Sequence, residues 1–223
     1  PKPGTTRELA PGVRWLTMPM PGSLAHINLY LLEDKRGWYV VDTGIGNAET
    51  AELWHQVFKN ELGGKPVIGV ICTHMHPDHI GQSAMITEEY RCALYMTRAE
   101  YYQARSFANS GGSHHSSWLG QKFYTRAGMP DDYVEQLQKM WTQRSSEGMS
   151  MPTMPSGYER LENGQVLTIG DHEWQIVVGS GHSPEHACLY CASLKIMISG
   201  DQILPIITSN VSVHPTEPNA NPL

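Results

Sequence analysis

The run His74-Met75-His76-Pro77-Asp78-His79, directly after the apolar stretch at residues 67–72, constrains this chain more than any other feature. It sets four metal-capable side chains within six positions. A strand sends alternate side chains to one face, so His74 and His76 aim together while Asp78 and His79 follow as the backbone turns. Imidazole nitrogen and carboxylate oxygen suit zinc, iron or manganese. A donor set without thiolates also leaves room for an exchangeable water, as catalytic centres require.

A chain of 223 residues and 24.9 kDa can build one domain with a substantial core, and a single domain over residues 1–223 is the expectation. The formal charge of −6 and pI near 6.0 oppose a protein held on nucleic acid by a basic face and point to a small-molecule substrate. No apolar run approaches the ~20 residues that cross a bilayer. Residues 1–7 do not form a secretory signal. The four cysteines are too few for a disulfide scaffold and fit a reducing compartment, so a soluble cytoplasmic protein is expected, with homo-oligomerisation left open. Cys188 and Cys191 form a C-x-x-C, but inside an apolar run that reads as a strand, where residues three apart face opposite sides; a structural role follows.

Strand signals occupy residues 13–16, 26–32 and 38–42, then a helical stripe of Ala51, Trp54, Val57, Phe58 and Leu62 runs to the stop signal Gly63-Gly64. A strand at 67–72, a helix near 81–89 and a strand at 93–96 follow. Residues 97–154 carry aromatics at mostly helical intervals and read as a helical insertion whose rings pack onto the host domain. Strands resume at 159–161, 166–169, 173–178, 187–191 and 195–199, with Asn163-Gly164 as a hairpin turn signal between the first two.

Two later strands end in further donors: residues 174–178 lead into Gly181-His182, and 196–198 into Gly200-Asp201. A glycine before each donor lets the backbone turn sharply at the strand end. Seven of the eleven histidines fall in three clusters, at 74–79, 114–115 and 182–186, and clustering rather than number carries the information.

Taken together, the 74–79 run, Ser180-Gly181-His182-Ser183-Pro184, Ser199-Gly200-Asp201 and Val40-Val41-Asp42-Thr43-Gly44 resemble the metallo-β-lactamase superfamily, nearer its glyoxalase II and β-lactamase-like 2 branches. The resemblance covers roughly residues 10–96 and 157–210. It implies an α+β four-layer αββα sandwich, two sheets face to face between outer helices, with metals on one edge. Carried over by position, His74, His76 and His182 form a first metal site, and Asp78 and His79 belong to a second, with Asp201 bridging both. Zinc is the implied metal, two ions per complete site, with iron or manganese as alternatives. Asp42 and His186 are then supporting residues that orient ligands.

The chain departs from the family pattern at its end. The family completes its second site with a histidine from a later strand, yet 22 residues follow Asp201 and their sole histidine, His214, lacks a strand-end glycine. A C-terminally truncated form with an incomplete C-terminal half is therefore expected. The ligand set implies a hydrolase: metal coordination lowers the pKa of water toward ~7, and the metal-bound hydroxide attacks an ester, thioester or related acyl group. Asp78 would hold the nucleophile and assist proton movement. His26 and His115 are the candidate substrate contacts. The alternatives are a mononuclear iron persulfide dioxygenase using His74, His182 and Asp201, and a phosphodiesterase or nuclease of the same fold.

Overall fold

The computed structural model describes residues 1–110, 117–146 and 152–222. Strands β1 (Thr6–Ala10), β2 (Val13–Pro19), β3 (His26–Asp34) and β4 (Gly37–Val41) are antiparallel neighbours, and β5 (Val67–Ile71), β6 (Ala93–Thr97) and β7 (Glu159–Leu161) continue the same seven-stranded sheet in parallel. β1 carried no signal in the sequence because its TRELA residues form a largely exposed edge. Alternation along the strands then divides the core. Leu29, Leu31, Val40 and Val70 face one way, and Leu32, Val41 and Ile71 face the other.

Helices cover the first of these faces. In α1 (Ala48–Asn60) the Asn47 side chain accepts the Thr50 N–H as N-cap, and Thr50, Trp54, Val57 and Phe58 form the buried stripe. Trp54 stacks on Phe58 with ring centroids 5.1 Å apart and donates its indole N–H to the Thr43 carbonyl at 2.7 Å. The expected helix at 81–89 is α3 (Ser83–Tyr90), and it is preceded by a one-turn helix within the histidine run, α2 (Pro77–Ile80). Gly81 separates them because the backbone crosses the loop after β4 there: a Cβ on Gly81 would lie 2.3 Å from both the Gly44 oxygen and the Gly46 nitrogen. The turn that follows the histidine run is thereby pressed against the loop that follows Asp42.

Between β6 and β7 the described residues form α4 (Arg98–Ser110), α5 (Trp118–Arg126) and α6 (Asp131–Ser146), as the aromatic spacing predicts. Packing of the aromatics is uneven. Tyr101 is buried in the core under the large sheet, whereas Tyr102, Trp118 and Tyr133 are exposed, which corrects the expectation that the rings as a group pack onto the host. Periodicity locates a helix but does not say which of its faces finds a partner.

The second face of the large sheet meets a four-stranded antiparallel sheet in the order β11-β10-β9-β8, built from β8 (Val166–Ile169), β9 (His172–Gly179), β10 (His186–Cys191) and β11 (Ile196–Ile198). Ile169, Trp174, Ile176, Leu189 and Ile198 fill the space between the sheets against Val41 and Ile71. Cys191 joins this core while Cys188 points its sulfur to the Ser199 carbonyl at 3.6 Å, and all four cysteines are free thiols, in keeping with a structural C-x-x-C.

Asn163-Gly164 does turn the chain, with Gly164 at φ +81°, but it is not a hairpin. β7 pairs in parallel with β6 in the large sheet and β8 pairs with β9 in the small one, so the turn carries the chain between sheets. A turn signal fixes a change of direction, and pairing partners are chosen by long-range contacts.

The outer face of the small sheet exposes Val166 and Met197, and among the described residues no helix follows β11. Among the described residues no helix is long and apolar enough to cross a membrane. Trp174 is 1% exposed, so Trp174→Ala is expected to cost about 3–5 kcal/mol, while Val166→Thr on the open face should stay within about 0.5 kcal/mol. Urea midpoints of the two variants check this, and equal midpoints would contradict the assignment of the inter-sheet core.

Candidate metal centre

Four strand ends deliver the chemistry to one edge. β4 and β5 pair with Val41 opposite Ile71, so Asp42 and the loop from Thr73 to His79 begin side by side. From the small sheet, β9 runs into His182 and β11 into Asp201. Three imidazole nitrogens converge between them. His74 Nε2 lies 2.9 Å from His76 Nδ1, and His182 Nε2 lies 3.3 Å and 3.0 Å from these two.

The far sides of the His182 and His74 rings show where their protons are. His182 Nδ1 is 2.9 Å from the Asn210 carbonyl, which can only accept, so Nδ1 carries the proton and Nε2 presents a lone pair. His74 Nδ1 is 3.0 Å from the Thr73 hydroxyl, which itself donates to Asp42 Oδ2 at 2.8 Å and so receives the His74 proton. Lone pairs therefore face one another, an arrangement that repels unless a cation or a proton sits among them. Protons are disfavoured there. Burial, and then the charge of neighbouring His182 and His79, pushes the His76 pKa down to about 3, and burial followed by the surrounding imidazoles holds His74 well below the ordinary histidine value.

A second group of donors adjoins the first. His79 is 2% exposed, and its Nδ1 lies 2.9 Å from Asp42 Oδ2. Its Nε2 is buried without a hydrogen-bond partner, with Asp201 Oδ1 at 3.5 Å and Asp78 Oδ2 at 3.7 Å. These separations are too long for good hydrogen bonds. The Asp201 separation falls within the ~3.3–3.6 Å between ligand atoms that tetrahedral bonds of ~2.0–2.2 Å produce, and the Asp78 separation is slightly longer. Burial alone would discharge His79, yet the carboxylates of Asp42, Asp201 and Asp78 outweigh it and hold its pKa well above the ordinary value. The site thus attracts positive charge at the position of that orphaned nitrogen.

Asp201 spans both groups, with Oδ2 3.5 Å from His182 Nε2 and Oδ1 the same distance from His79 Nε2. Burial works against its ionisation, but His79, His182 and His76 overcome that and lower its pKa. Two sets of donor atoms, His74–His76–His182–Asp201 and Asp78–His79–Asp201, can each hold a metal ion, with atoms within 4.8 Å of one another in each set.

Supporting contacts fall on Asp42 and His186. Asp42, at φ +60°, accepts the Thr73 N–H at 2.8 Å on Oδ1 and both the Thr73 hydroxyl and His79 Nδ1–H on Oδ2. His186 is fully buried, stacks on His74 at 4.7 Å, and accepts the Asp201 N–H on Nε2 at 3.1 Å. Burial pushes its pKa down to about 4, which keeps that nitrogen an acceptor. Gly200, at φ +48°, makes room for this ring: a Cβ there would lie 2.6 Å from His186 Nε2.

Thr73 is a residue that sequence reasoning missed, although it holds Asp42, His74 and the backbone of Ala187, whose N–H reaches the Thr73 carbonyl at 2.8 Å. Its position beside the first histidine was the available signal. His26 is exposed at the start of β3 and belongs to neither donor group, and His214 joins neither as well. His115 lies outside the described residues.

Comparison with known proteins agrees with this geometry. The sequence pattern of the Metallo-beta-lactamase superfamily matches residues 23–221. The chain is 24% identical over 204 residues to the acyl-coenzyme A thioesterase MBLAC2 of Bos taurus, covering 88% of this chain and 65% of that protein, and the Homo sapiens protein of that name matches equally. Among solved structures, a beta-lactamase domain protein from Burkholderia ambifaria is 38% identical with a TM-score of 0.82, covering 100% of this chain and 64% of that one. A metallo-beta-lactamase family protein from Thermus thermophilus is 23% identical with a TM-score of 0.73, covering 93% of this chain and 65% of that one. The chain thus spans about two thirds of the length of these relatives. With the profile, the fold and the ordered donor residues in agreement, the chain belongs to the metallo-beta-lactamase superfamily.

Proposed function

We propose that this protein is a zinc-dependent hydrolase of acyl thioesters. The observation that carries the reading is the meeting of three imidazole nitrogens, from His74, His76 and His182, beside a carboxylate that reaches a second donor group. In this reading His74, His76, His182 and Asp201 hold one ion, and Asp78, His79 and Asp201 hold the other. Bound zinc supplies a water of lowered pKa and a Lewis acid for the acyl oxygen.

The chain's own residues do the rest. Asp78, at the partly exposed rim of the second group, accepts a hydrogen bond from the attacking water and takes its proton. A C–O bond forms to the acyl carbon, the C–S bond breaks, and the proton passes from Asp78 to the departing thiolate, giving a carboxylic acid and a thiol. Asp42 and Thr73 keep His79 and His74 in the tautomers that leave Nε2 free. The free thiols of this chain suit a reducing compartment, and the cytoplasm is the proposed location.

The thioester class rests on the acyl-coenzyme A thioesterase relatives and on a cleft between α5 and the segment after Asp201. The segment after Asp201 reaches the centre through the Asn210 carbonyl, which accepts the His182 Nδ1–H at 2.9 Å. It then meets α5 at a cleft of about 330 Å³ lined by Leu119, Lys122, Phe123, Arg126, Pro215 and Pro218. Apolar walls suit an acyl chain, and two cations one helical turn apart suit an anionic thiol carrier.

Dialysis against a chelator is expected to abolish thiol release from acyl-coenzyme A, and added zinc to restore it. His76→Ala should lose more than the ~10–100-fold typical of residues that only support a ligand. Full turnover by metal-free protein would overturn the reading, and oxygen uptake on a persulfide by an iron-loaded preparation would favour the dioxygenase instead. Lys122→Glu combined with Arg126→Glu is expected to raise KM for acyl-coenzyme A about tenfold or more while leaving KM for a neutral thioester unchanged. Equal KM values for the coenzyme A ester before and after substitution would remove the cleft from the substrate path.

A further inference from the structure

We infer that Glu100 is a positioning residue that locks the two histidine loops of the metal centre to each other. It lies in the first turn of α4, outside the motifs, and it is fully buried. One carboxylate oxygen, Oε2, accepts the Met75 N–H at 2.9 Å, and the other, Oε1, accepts the Glu185 N–H at 2.8 Å. Met75 stands between His74 and His76, and Glu185 lies three residues beyond His182.

Each oxygen therefore holds one loop. The loops come from different sheets, and His76 Nδ1 and His182 Nε2 meet at 3.0 Å across that divide. Such a separation depends on tenths of an ångström, and the carboxylate is a rigid spacer between the backbones that carry the two rings. The tie is reciprocal. Glu185 Oε2 accepts the Ala99 N–H at 2.8 Å, and its carbonyl accepts the Thr97 hydroxyl at 2.7 Å, so the second loop also caps the start of α4.

A buried carboxylate is an expensive way to join two loops for stability alone, because desolvation opposes its charge. Burial in fact raises the Glu100 pKa, with the Ser183 hydroxyl and then the Glu185 and Met75 amides acting in the opposite direction. Two bonds from one planar group do supply what apolar packing does not, a fixed distance and angle between the loops. Asp42 and Thr73 secure the other side of the first loop, so Glu100 completes its fixation from the helical side.

This inference rests on the reading that His76 and His182 share an ion, and the test separates the two. Zinc affinity is measured by competition with a chromophoric chelator for the unchanged protein, Glu100→Gln, and Leu31→Val as a control for lost stability. Glu100→Gln replaces one acceptor by an amide that faces a backbone N–H. It is expected to weaken zinc binding about 10–100-fold, whereas Leu31→Val leaves affinity within twofold. Affinity within twofold of the unchanged protein in folded Glu100→Gln would overturn the inference.

Hydrogen exchange of the unchanged, metal-free protein gives a second measurement that does not depend on the variant's folding. The Met75 and Glu185 amides are expected to exchange slowly and with matching protection, as one unit. Exchange of either at the rate of an open loop would also overturn the inference. A failure of the unchanged protein to bind zinc would sink the metal reading by itself, while the exchange measurement still decides whether Glu100 clamps the loops.

Discussion

The carboxylate of Asp42 receives the Thr73 amide, the Thr73 hydroxyl and the His79 imidazole within 2.9 Å, and most of the centre depends on that meeting. It exists because β4 and β5 run in parallel as neighbours, which brings the residue after one strand to the loop after the other. A parallel pair needs a long connection, and α1 supplies it while covering the large sheet. The same helix anchors the Asp42 loop through the Trp54 indole on Thr43. Core packing and site geometry are thus joined at one hydrogen-bonded turn.

From Asp42 the ordering spreads outward by tautomer selection. A ring whose Nδ1 is committed to a carboxylate, hydroxyl or carbonyl has only one nitrogen left to offer, and His74, His79 and His182 are all committed in this way. The Nε2 atoms of His74 and His182 meet Nδ1 of His76 within 3.3 Å, where burial makes protonation of His74 and His76 costly. Buried imidazole nitrogens turned toward one another, with His79 Nε2 left without a hydrogen-bond partner, are a poor arrangement for stability alone. It is a good one for gathering a cation, and the stability it forgoes comes from the inter-sheet core around Trp174 and Ile176.

Much of this was legible without coordinates because strand periodicity and glycine turns are local. The 74–79 run, the His182 and Asp201 turns, and the strands feeding them needed only a period of two and a sharp stop. Asp42 and His186 were recognisable as supporting residues through the family resemblance, although the partners of each were not. The helices of the insertion were legible too, but the exposure of Trp118 and Tyr133 was not, since a helical stripe does not reveal whether another surface meets it. Asn163-Gly164 shows the same limit. Its turn is real, yet β7 and β8 part into different sheets because pairing energy comes from strands distant in sequence.

The sequence by itself determined the donor types, their order, and the strand ends that carry them, because each is written in a few consecutive residues. Only the tertiary structure decided which nitrogen His74, His79 and His182 offer, and that Glu100 joins loops 25 and 85 residues away from it. Those outcomes depend on hydrogen bonds between segments remote along the chain. Such bonds leave no local pattern, since any of several carboxylates could have filled the role and the fold alone selects which one arrives.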